Sequence, residues 1–454
     1  MSFIVNKKNL NLLVSSIEDG NDSFIQTQLA ELHPVDIGEF LNRMEFEEAD
    51  YILKVLSPQK AADVLVELDP DLRDKLVSTF TSREIADMVS DNINSDDAAD
   101  VLAELPPIKK EEVISLLGDA NQASDLVDLL TYEYDTAGGL MAKELIQVNE
   151  EWNVAMAIRE MRRQAANLDE VYTIYVVNNK DQLVGTLSLK KLLFSDALRS
   201  SIKDLYKKTD VHFVYSSQSA EDVVAIMKKY DLVVLPVVDE NHTLLGRITI
   251  DDAVDVMKDE AEKDYQMASG ISAQVADADS VWVITRARIP WLLIGLIGGI
   301  CVAQVIGMYE EQLQVNPKLA FFIPLIAAMG GNVGVQSSAI VVQGLANKSI
   351  DILQIIPRLG KELLVALINA TICAALLLVY SFIFSADDPS LGYTISISLF
   401  AVIILAALFG TAIPLFLNKF KIDPALATGP FITTANDIIG LIIYFVVARL
   451  MYGL

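Results

Sequence analysis

Five long apolar segments in the carboxyl-terminal part of the chain constrain its fold more than any other feature. They cover residues 289–309, 319–346, 360–384, 393–420 and 425–452. As a helix, each segment is long enough to cross a hydrocarbon layer of about 30 Å. Inside such a layer every backbone polar group needs a partner within the protein, and a helix provides these partners by itself. The sequence therefore predicts an all-α membrane domain with five spans.

The rest of the chain is strongly acidic. The 454 residues have a formal net charge of −26, and nearly all of the excess negative charge lies before Arg286. This charge favours cations as ligands and disfavours nucleic acid and anionic lipid. The amino terminus, MSFIVNKKNLNLLVSS, has no apolar run typical of a signal peptide, so we expect the acidic part to stay in the cytosol. Cys301 and Cys373 lie in apolar segments, and we predict neither a disulfide nor a thiolate metal site.

Basic residues indicate the orientation of the spans. They precede the first span and lie in the second and fourth loops, whereas the first and third loops carry acidic residues. The positive-inside rule then places the amino-terminal domains in the cytosol and the carboxyl terminus outside. We expect a multi-pass protein of a bacterial cytoplasmic (inner) membrane.

The first part of the chain repeats one short theme. Segments such as HPVDIGEFLNRM, QKAADVLVEL and DDAADVLAEL combine acidic residues with apolar residues at helical spacing. Short self-similar helices are typical of an α-solenoid, in which each unit buries its apolar face by stacking on the next. An ordinary helical bundle is the alternative.

A second repeat needs no gap. YVVNNKDQLVGTLSLKKLL, from Tyr175, aligns with PVVDENHTLLGRITIDDAV, from Pro236, with every pair 61 positions apart and Gly185 on Gly246. Each copy has the pattern of a strand, a polar turn, a second strand and a helix, and a helical pattern precedes each copy. Two tandem α/β modules are therefore predicted over about 137–260.

These modules resemble a tandem pair of cystathionine-β-synthase (CBS) domains, regulatory modules that often bind adenine nucleotides. In that family a Gly-x-x-Thr/Ser-x-x-Asp run places a hydroxyl and a carboxylate near phosphate and ribose. GRITIDD matches this run with Thr249 and Asp252, whereas GTLSLKK has Lys191 where the family has Asp. The resemblance implies one nucleotide site, with ATP as the candidate ligand.

The last apolar segment contains a carboxylate, Asp437. An ionised Asp at this depth costs about 2.5 kcal/mol or more, so it usually faces a cavity or a partner. Because Pro430 lacks an N–H, we expect the carbonyl of Leu426 to be unpaired. Thr433 and Thr434 are predicted on the helix face of Asp437. This polar stripe favours a mobile cation as the partner of Asp437; a packing carboxyl, protonated and hydrogen-bonded to a neighbouring helix, is the alternative.

The second span contains the stretch PLIAAMGGNVGVQSSAIVVQG. Its glycines, Gly331 among them, allow close approach of backbones, which is typical of a helix interface. The amide of Asn332 and the nearby polar side chains favour a second interpretation, in which the stretch lines a polar path facing the helix of Asp437.

Carboxylates also follow the second α/β module. Asp252, Asp255 and Asp259 share one face of a predicted helix, and Glu260 and Asp264 share the adjacent face. Like charges at these spacings destabilise a helix by about 0.2–0.5 kcal/mol per pair. A bound divalent cation would remove that repulsion. A solvated acidic face is the alternative.

Three segments resemble the MgtE magnesium channel family: RARIPWLLIGLIGG, PLIAAMGGNVGVQSSAIVVQG and DPALATGPFITTANDIIGLIIYF. The order of an acidic helical domain, a CBS pair, a connecting helix and five spans is also similar to that family. The resemblance implies a homodimer with a pore on its twofold axis. It further implies that Asp437 is the selectivity carboxylate and that Asn332 is a pore-lining amide.

The same resemblance implies feedback by the transported ion. In that family, carboxylates of the helical domain, the second CBS domain and the connecting helix bind cytosolic Mg²⁺ and hold the pore shut. The matching positions here are Asp252, Asp255, Glu260 and Asp264, with Asp96, Asp97 and Asp100 as further candidates.

We therefore predict a multidomain membrane protein with an α-helical, solenoid-like N domain, α/β tandem CBS domains and an all-α transmembrane domain of five helices. The predicted parts are the acidic N domain (1–136), the two CBS domains (137–200 and 201–261), a connecting plug helix (262–285) and the transmembrane domain (286–454).

The predicted function is Mg²⁺-selective, channel-type import down the electrochemical gradient, closed by cytosolic Mg²⁺. One alternative is an ion-coupled secondary transporter of divalent cations that uses Asp437 as its coupling residue. Another is a CBS-containing sensor without transport. We expect neither an ATP-driven pump nor an enzyme, because the sequence has no Gly-x-x-x-x-Gly-Lys-Ser/Thr loop and no His-Glu-x-x-His motif.

Overall fold

The structure, a computed structural model, describes residues 6–90, 93–165, 168, 171–194, 200–206, 211–272, 275, 280–346, 355–384, 388–424 and 429–453. The chain forms two compact units, Met1–Lys258 and Asp259–Leu454, and the division between them falls within one helix.

The amino-terminal part of the first unit is helical. Its helices are α1 (Lys7–Glu18), α2 (Asp22–Ala30), α3 (Pro34–Leu41), α4 (Phe46–Val55), α5 (Pro58–Val66), α6 (Pro70–Thr79), α7 (Ser82–Val89), α8 (Ser95–Ala103), α9 (Pro107–Leu116) and α10 (Ala120–Leu129). A proline begins α3, α5, α6 and α9, where its missing N–H costs no hydrogen bond. Thr81 and Glu84 form a capping box at the start of α7. Local sequence signals therefore account for many of the helix starts.

Helices that are two apart in the chain pack on each other. α3 packs on α5, α5 on α7 and α7 on α9, while α4 packs on α6 and α8 on α10. Each helix buries a narrow apolar face in this way, as Ile37 and Phe40 do in α3 and Ala62 and Leu65 do in α5. The solenoid-like prediction is confirmed, and the alternative of an ordinary bundle is not needed.

Two small sheets follow. The first module consists of β1 (Ile146–Asn149), α11 (Val154–Gln164), β2 (Ile174–Val177), β3 (Leu183–Leu187) and α12 (Leu189–Leu193). The second consists of β4 (Val214–Tyr215), α13 (Ala220–Tyr230), β5 (Val234–Val238), β6 (Leu244–Thr249) and α14 (Ile250–Ala268). In each sheet the first two strands are parallel and the last two antiparallel.

The predicted repeat is visible in the backbone. The β-bulge between Val176 and Val177 recurs between Val237 and Val238, at the corresponding place in the second sheet. The two hairpin turns pair reciprocally, because Leu183 N donates to His242 O at 2.9 Å and Leu244 N donates to the carbonyl of the equivalent turn, Asp181, at 3.0 Å. The modules are therefore related by a local pseudo-twofold axis.

The leading segment of each module packs on the other module. Ala142 and Arg247 of β6 exchange backbone hydrogen bonds of 2.8 and 2.9 Å. Conversely, Ser201 bridges Asn153, and Ile202 lies in the core of the first module. The predicted domain limits stay a prediction. They divide the chain into consecutive segments, whereas the segment before each module packs on the other module.

The predicted plug helix over 262–285 is not one helix in the structure. α14 ends at Ala268, and Gly270 takes a φ of +81°, which favours glycine. The next helix begins at Val281, where the side chain of Ser280 accepts a hydrogen bond from Val283 N as an N-cap. The range predicted as one helix therefore contains the end of one helix and the start of the next.

The second unit contains α15 (Val281–Met308), α16 (Glu310–Val315), α17 (Ile323–Ala346), α18 (Ile355–Phe384), α19 (Pro389–Lys419) and α20 (Pro430–Tyr452), with a 3₁₀ segment (Pro317–Phe322) before α17. Five of these helices are long and apolar enough to cross a membrane. α19 lies at the centre of this helical bundle, because it packs on α17, α18 and α20 and half of its most apolar stretch is buried. α20 packs on α15 and α17 as well. The five predicted spans are therefore present as helices.

Candidate functional site

Asp437 lies on α20 opposite a glycine of α17. A Cβ atom built on Gly331 would lie 2.9 Å from Thr433 Cγ2 and 3.7 Å from Asp437 Oδ1. Thr433 and Asp437 are one helical turn apart, so α20 presents the methyl group of Thr433 and the carboxylate of Asp437 to a point of α17 that has no side chain. The structure thus brings together three of the predicted pathway residues.

The other predicted pathway residues do not join this contact. Thr434 packs on Gly298 of α15. Asn332 is exposed on a different face of α17. Leu426 lies outside the described residues. Thr433 and Thr434 therefore meet different neighbours of α20, and the predicted role of Thr434 in the pathway stays a prediction.

The argument from Pro430 is also wrong. α20 begins at Pro430, with Gly429 as its N-cap residue, so the proline interrupts no helix. The hydroxyl of Thr433 instead donates to the carbonyl of Gly429 at 3.0 Å. Thr433 therefore keeps lone pairs of its oxygen for a further donor.

Two glycines of α17 serve helix packing, as the first interpretation of this stretch expects. A Cβ atom built on Gly330 would lie 3.1 Å from Val402 Cγ1 of α19. One built on Gly334 would collide with the side-chain amide of Asn436 of α20, and Gly410 of α19 leaves no room for a Cβ beside the carbonyl of Gly334. Close approach at these positions permits three helices to meet.

The amides of α17 lie on an exposed face of the single chain. Asn332 and Gln336, four residues later, are exposed, whereas Ser337 and Ser338 are buried. An amide in lipid lacks hydrogen-bond partners, which is costly. This face is therefore suited to water or to another protein surface rather than to lipid.

Two polar residues of the membrane helices escaped the sequence analysis. Glu362 of α18 accepts a hydrogen bond of 2.7 Å from the hydroxyl of Ser337 of α17. Asn436 of α20 is only 3% exposed. Both are polar residues within a helix-length apolar segment, and this is a signal in the sequence. Glu362, however, lies next to the basic residues of the second loop, and Asn436 lies next to Asp437, whose charge is the stronger signal.

In the first unit, α8 and the start of α14 bring four carboxylates close enough to interact: Asp96, Asp97, Asp100 and Asp252. Burial raises the pKa of Asp97 to about 7, and the negative charges of Asp252 and Asp100 add to the rise. Burial likewise raises the pKa of Asp96 well above its usual range, with the charge of Asp97 as the next cause. These groups thus resist ionisation unless positive charge arrives.

The same cluster has one built-in cation. Arg73 makes a bidentate ion pair with Glu104, with Nη2 to Oε1 at 2.7 Å and Nε to Oε2 at 3.2 Å. Burial raises the pKa of Asp100 to about 6, and the positive charge of Arg73 opposes that rise. Because Arg73 is already engaged by Glu104, one guanidinium does not compensate the whole cluster.

Asp252 also has a local structural role. The backbone N–H and the hydroxyl of Thr249 both donate to Asp252 Oδ2, at 3.0 and 2.7 Å, and cap the start of α14. Burial raises the pKa of Asp252, while these two hydrogen bonds lower it. Its Oδ1 atom makes neither of these bonds.

The remaining predicted sensor residues lie further along α14. Asp255, Asp259 and Asp264 are exposed and Glu260 is partly exposed, all on one continuous helix. Within the part of the chain that the structure describes, no three His, Cys, Asp or Glu side chains are arranged to hold one ion. The regulatory metal sites therefore stay a prediction, supported by the charge and burial of the α8 and α14 carboxylates.

The CBS modules form a cleft beside β1, β2, β5 and β6. Leu145, Val171, Tyr172, Tyr175, Val234 and Arg247 are among the residues that line it. The guanidinium of Arg247 lies 5.4 Å from the centre of the Tyr172 ring. Tyr175 Oη and Arg247 Nε are buried and have no hydrogen-bond partner among the described residues. The cleft has no internal room for a water molecule, so a heterocycle with anionic groups could meet the ring and the unpaired donors only after these side chains move apart.

Comparisons with known proteins agree over nearly the whole chain. The family model of the MgtE divalent cation transporters matches residues 323–447, that of the MgtE intracellular N domain matches 32–135, and that of the CBS domain matches 137–197 and 202–259. The magnesium transporter MgtE of Bacillus subtilis (strain 168) is 30% identical over 436 residues, which are 96% of this chain and 96% of that protein. The chain belongs to the MgtE family.

Further MgtE proteins support this assignment. The magnesium transporter MgtE of Thermus thermophilus is 30% identical over 445 residues, 97% of each chain. A solved structure, the cytosolic domain of the Mg²⁺ channel MgtE in complex with ATP, is 32% identical, covers 54% of this chain and 99% of that one, and has a TM-score of 0.50.

Membership of the MgtE family confirms two of the sequence-based interpretations directly. The resemblance is correct, and so is the fold class of a helical N domain, a CBS pair and a membrane domain. The MgtE family is one of transporters rather than enzymes, as expected. The roles of individual site residues stay predictions.

Proposed function

We propose that this chain is a magnesium-selective channel that imports Mg²⁺ across a bacterial cytoplasmic membrane down its electrochemical gradient. The observation that carries the proposal is the contact of Asp437 and Thr433 of α20 with the bare backbone of Gly331 of α17. The carboxylate of Asp437 is a ligand that Mg²⁺ prefers, either directly or through its retained waters.

The charges of the membrane helices favour a cation as the partner of Asp437. The basic residues of these helices stand near helix ends: Arg286, Arg288, Arg358, Lys361, Lys419 and Arg449. A carboxylate in the middle of an apolar bundle needs compensation, and an ion in transit supplies it. Relatives that carry the name magnesium transporter support Mg²⁺ as that ion.

The proposed assembly is a homodimer with the ion path between two copies. The exposed amide of Asn332 of α17 supports it, because a second copy would remove this amide from lipid and let it face a hydrated ion. Basic residues in the even-numbered loops support a cytosolic amino-terminal part and an external carboxyl terminus.

The proposed regulation is closure by cytosolic Mg²⁺. Asp96, Asp97, Asp100 and Asp252 repel one another where they are buried, and a divalent cation would stabilise their approach. When cytosolic Mg²⁺ falls, repulsion favours separation of α8 from α14, and the population shifts to the open channel. The acidic residues further along α14 extend the proposed sensor surface.

Patch-clamp recording of the purified chain in liposomes tests the proposal. We expect an inward divalent current that is lost in Asp437→Ala and that closes as Mg²⁺ on the cytosolic side rises from near zero to roughly ten millimolar, which would saturate weak carboxylate sites with a Kd of about 1 mM. If no current is recorded but Mg²⁺ uptake depends on a proton or sodium gradient, the result would instead support the coupled transporter.

A second proposed activity is nucleotide binding by the CBS pair. The unpaired donors of Tyr175 and Arg247 and the ring of Tyr172 favour it, and the similar cytosolic domain in complex with ATP supports ATP as the ligand. Titration of the full-length protein with ATP is expected to show saturable binding that Arg247→Ala weakens. Equal binding by that variant would contradict this cleft as the site.

A further inference from the structure

Asn436 is a buried amide at the contact of three membrane helices. It precedes Asp437 on α20 and is only 3% exposed. Its Nδ2 atom has no hydrogen-bond partner among the described residues. The residue therefore combines two unfavourable conditions, burial in an apolar bundle and an unmade hydrogen bond.

The space for this amide is made by glycines. A Cβ atom on Gly334 of α17 would collide with Asn436 Nδ2, and one on Gly330 would lie 3.6 Å from the carbonyl oxygen of Asn436. Gly410 of α19 has no room for a Cβ beside the carbonyl of Gly334. The backbones thus enclose the amide, and a bulkier residue at Gly334 would displace it.

This niche lies beside the contact of Asp437. Gly331 and Gly334 are neighbours on α17, and they meet Asp437 and Asn436, which are neighbours on α20. Because the amide packs on Gly334, it limits both the rotation of α20 about its axis and its translation along α17. Movement of α20 by one methyl diameter would carry Asp437 away from Gly331.

Packing alone does not explain an amide at this position. A buried donor without a partner destabilises the folded state, whereas an apolar residue of the same shape does not. Leucine has nearly the shape of asparagine, so it would fill the niche and make the bundle more stable. The amide group is then expected to serve the ion path rather than the fold.

We propose that Asn436 is a positioning residue that places the Asp437 carboxylate and thereby determines the preference for Mg²⁺ over larger divalent cations such as Ca²⁺. This inference rests on the proposed function of Asp437. Since leucine would keep the shape, the amide acts through its dipole, which lies one residue from Asp437 on the same helix and is enclosed by Gly334.

The test compares Asn436→Leu with wild type in liposomes, by the ratio of Mg²⁺ to Ca²⁺ permeability and by the thermal unfolding midpoint in detergent. We expect the ratio to fall about tenfold, which corresponds to about 1.4 kcal/mol, while the midpoint stays equal or rises. Ser396→Ala is the matched control, since Ser396 Oγ is also buried without a partner among the described residues but lies on α19. It is expected to keep the wild-type ratio.

A second pair of variants separates shape from chemistry. Gly334→Ala should lower the midpoint, because its methyl group meets the amide. Adding Asn436→Ala should raise the midpoint again in part, since it removes the amide but leaves Ile432 Cγ2 at 2.8 Å from the methyl group. A double variant with a higher midpoint than Gly334→Ala but a low permeability ratio supports a role for the amide.

Two results would overturn the inference: an unchanged ratio in Asn436→Leu, or a ratio that recovers fully in the double variant. If Asn436→Leu does not fold, the double variant decides. If wild type itself carries no divalent current, the proposed function fails, and that outcome is distinct from a failure of Asn436 alone.

Discussion

The hydroxyl of Ser337 donates a hydrogen bond of 2.7 Å to Glu362 Oε1 and joins α17 to α18. Ser337 is 4% exposed, and Glu362 and Asp437 are the two carboxylates within the described membrane helices. Glu362 therefore contacts the buried Ser337 of α17, and Asp437 faces Gly331 of the same helix. α17 is held between two acidic contacts.

We predict separate effects for the two partners of this bond. Ser337→Ala removes the donor and should destabilise the bundle by about 0.6 kcal/mol, the average for hydrogen bonds between membrane helices. Glu362→Gln keeps an acceptor but removes the charge, so its effect on stability should be smaller. Thermal unfolding of the two variants in detergent measures this. If Glu362→Gln alone abolishes Mg²⁺ uptake at unchanged stability, Glu362 acts on the ion by its charge and not only as an acceptor.

Gly331→Ala is expected to reduce Mg²⁺ current several-fold. The new methyl group would lie 2.9 Å from Thr433 Cγ2, so Thr433 must move, and Asp437 on the next turn moves with it. Gly299→Ala is the control, because a Cβ at Gly299 of α15 meets nothing within 4 Å. Equal currents in wild type and both variants would contradict a pathway at Gly331.

The acidic contact of α8 with α14 should weaken as pH rises. The pKa of Asp97 is raised to about 7, above its ordinary value of 3.8, so the folded arrangement binds protons that the separated one releases. This contact is then least stable above pH 7 and gains stability as pH falls from about 7 towards 4. Hydrogen exchange of α8 in the full-length protein without Mg²⁺ should show protection that increases over this range.

Mg²⁺ should flatten that pH profile, because it replaces protons as the compensating charge. Asp97→Asn should flatten it in part, since it removes one titrating group and leaves those of Asp96 and Asp100. Asp71→Asn, at an exposed position of α6, should leave the profile unchanged. A steep profile that persists in Asp97→Asn would assign the pH dependence to other groups.

Gly429→Ala should lower the unfolding midpoint more than another substitution at a glycine of positive φ. Gly429 has φ +57° and ψ −129°, and a Cβ there would lie 2.6 Å from the carbonyl oxygen of Ala268 at the end of α14. Gly20→Ala offers the comparison, since Gly20 has φ +62° but no atom within 4 Å of an added Cβ. Positive φ is common to both, with a backbone strain of about 1–3 kcal/mol, while the ψ of Gly429 and its contact with Ala268 are the additional costs. Equal shifts in the two variants would show that these additional costs are negligible.

Sequence patterns predict the elements of this protein well where the signal is local. The capping box at Thr81 and the prolines of the first helical turns lie at helix starts, and the 61-residue repeat reproduces even the β-bulges. The plug-helix prediction fails because an acidic, helix-forming run continues the pattern towards Gly270, whose positive φ ends the helix. The pattern misleads at Pro430 because a proline at the first position of a helix and one inside it look alike in a long apolar segment.

By itself, the sequence determined that the chain has an acidic helical part, two α/β modules and five spans, because apolar period, charge and repeat spacing are properties of the chain. It also singled out Asp437, since a carboxylate in an apolar run is costly in any arrangement. Only the tertiary structure decided which side chains Asp437 meets, that Thr434 turns to α15, and that Gly334 encloses Asn436. Those outcomes depend on which helices become neighbours and at what rotation, and these depend on side-chain packing between segments far apart in the chain.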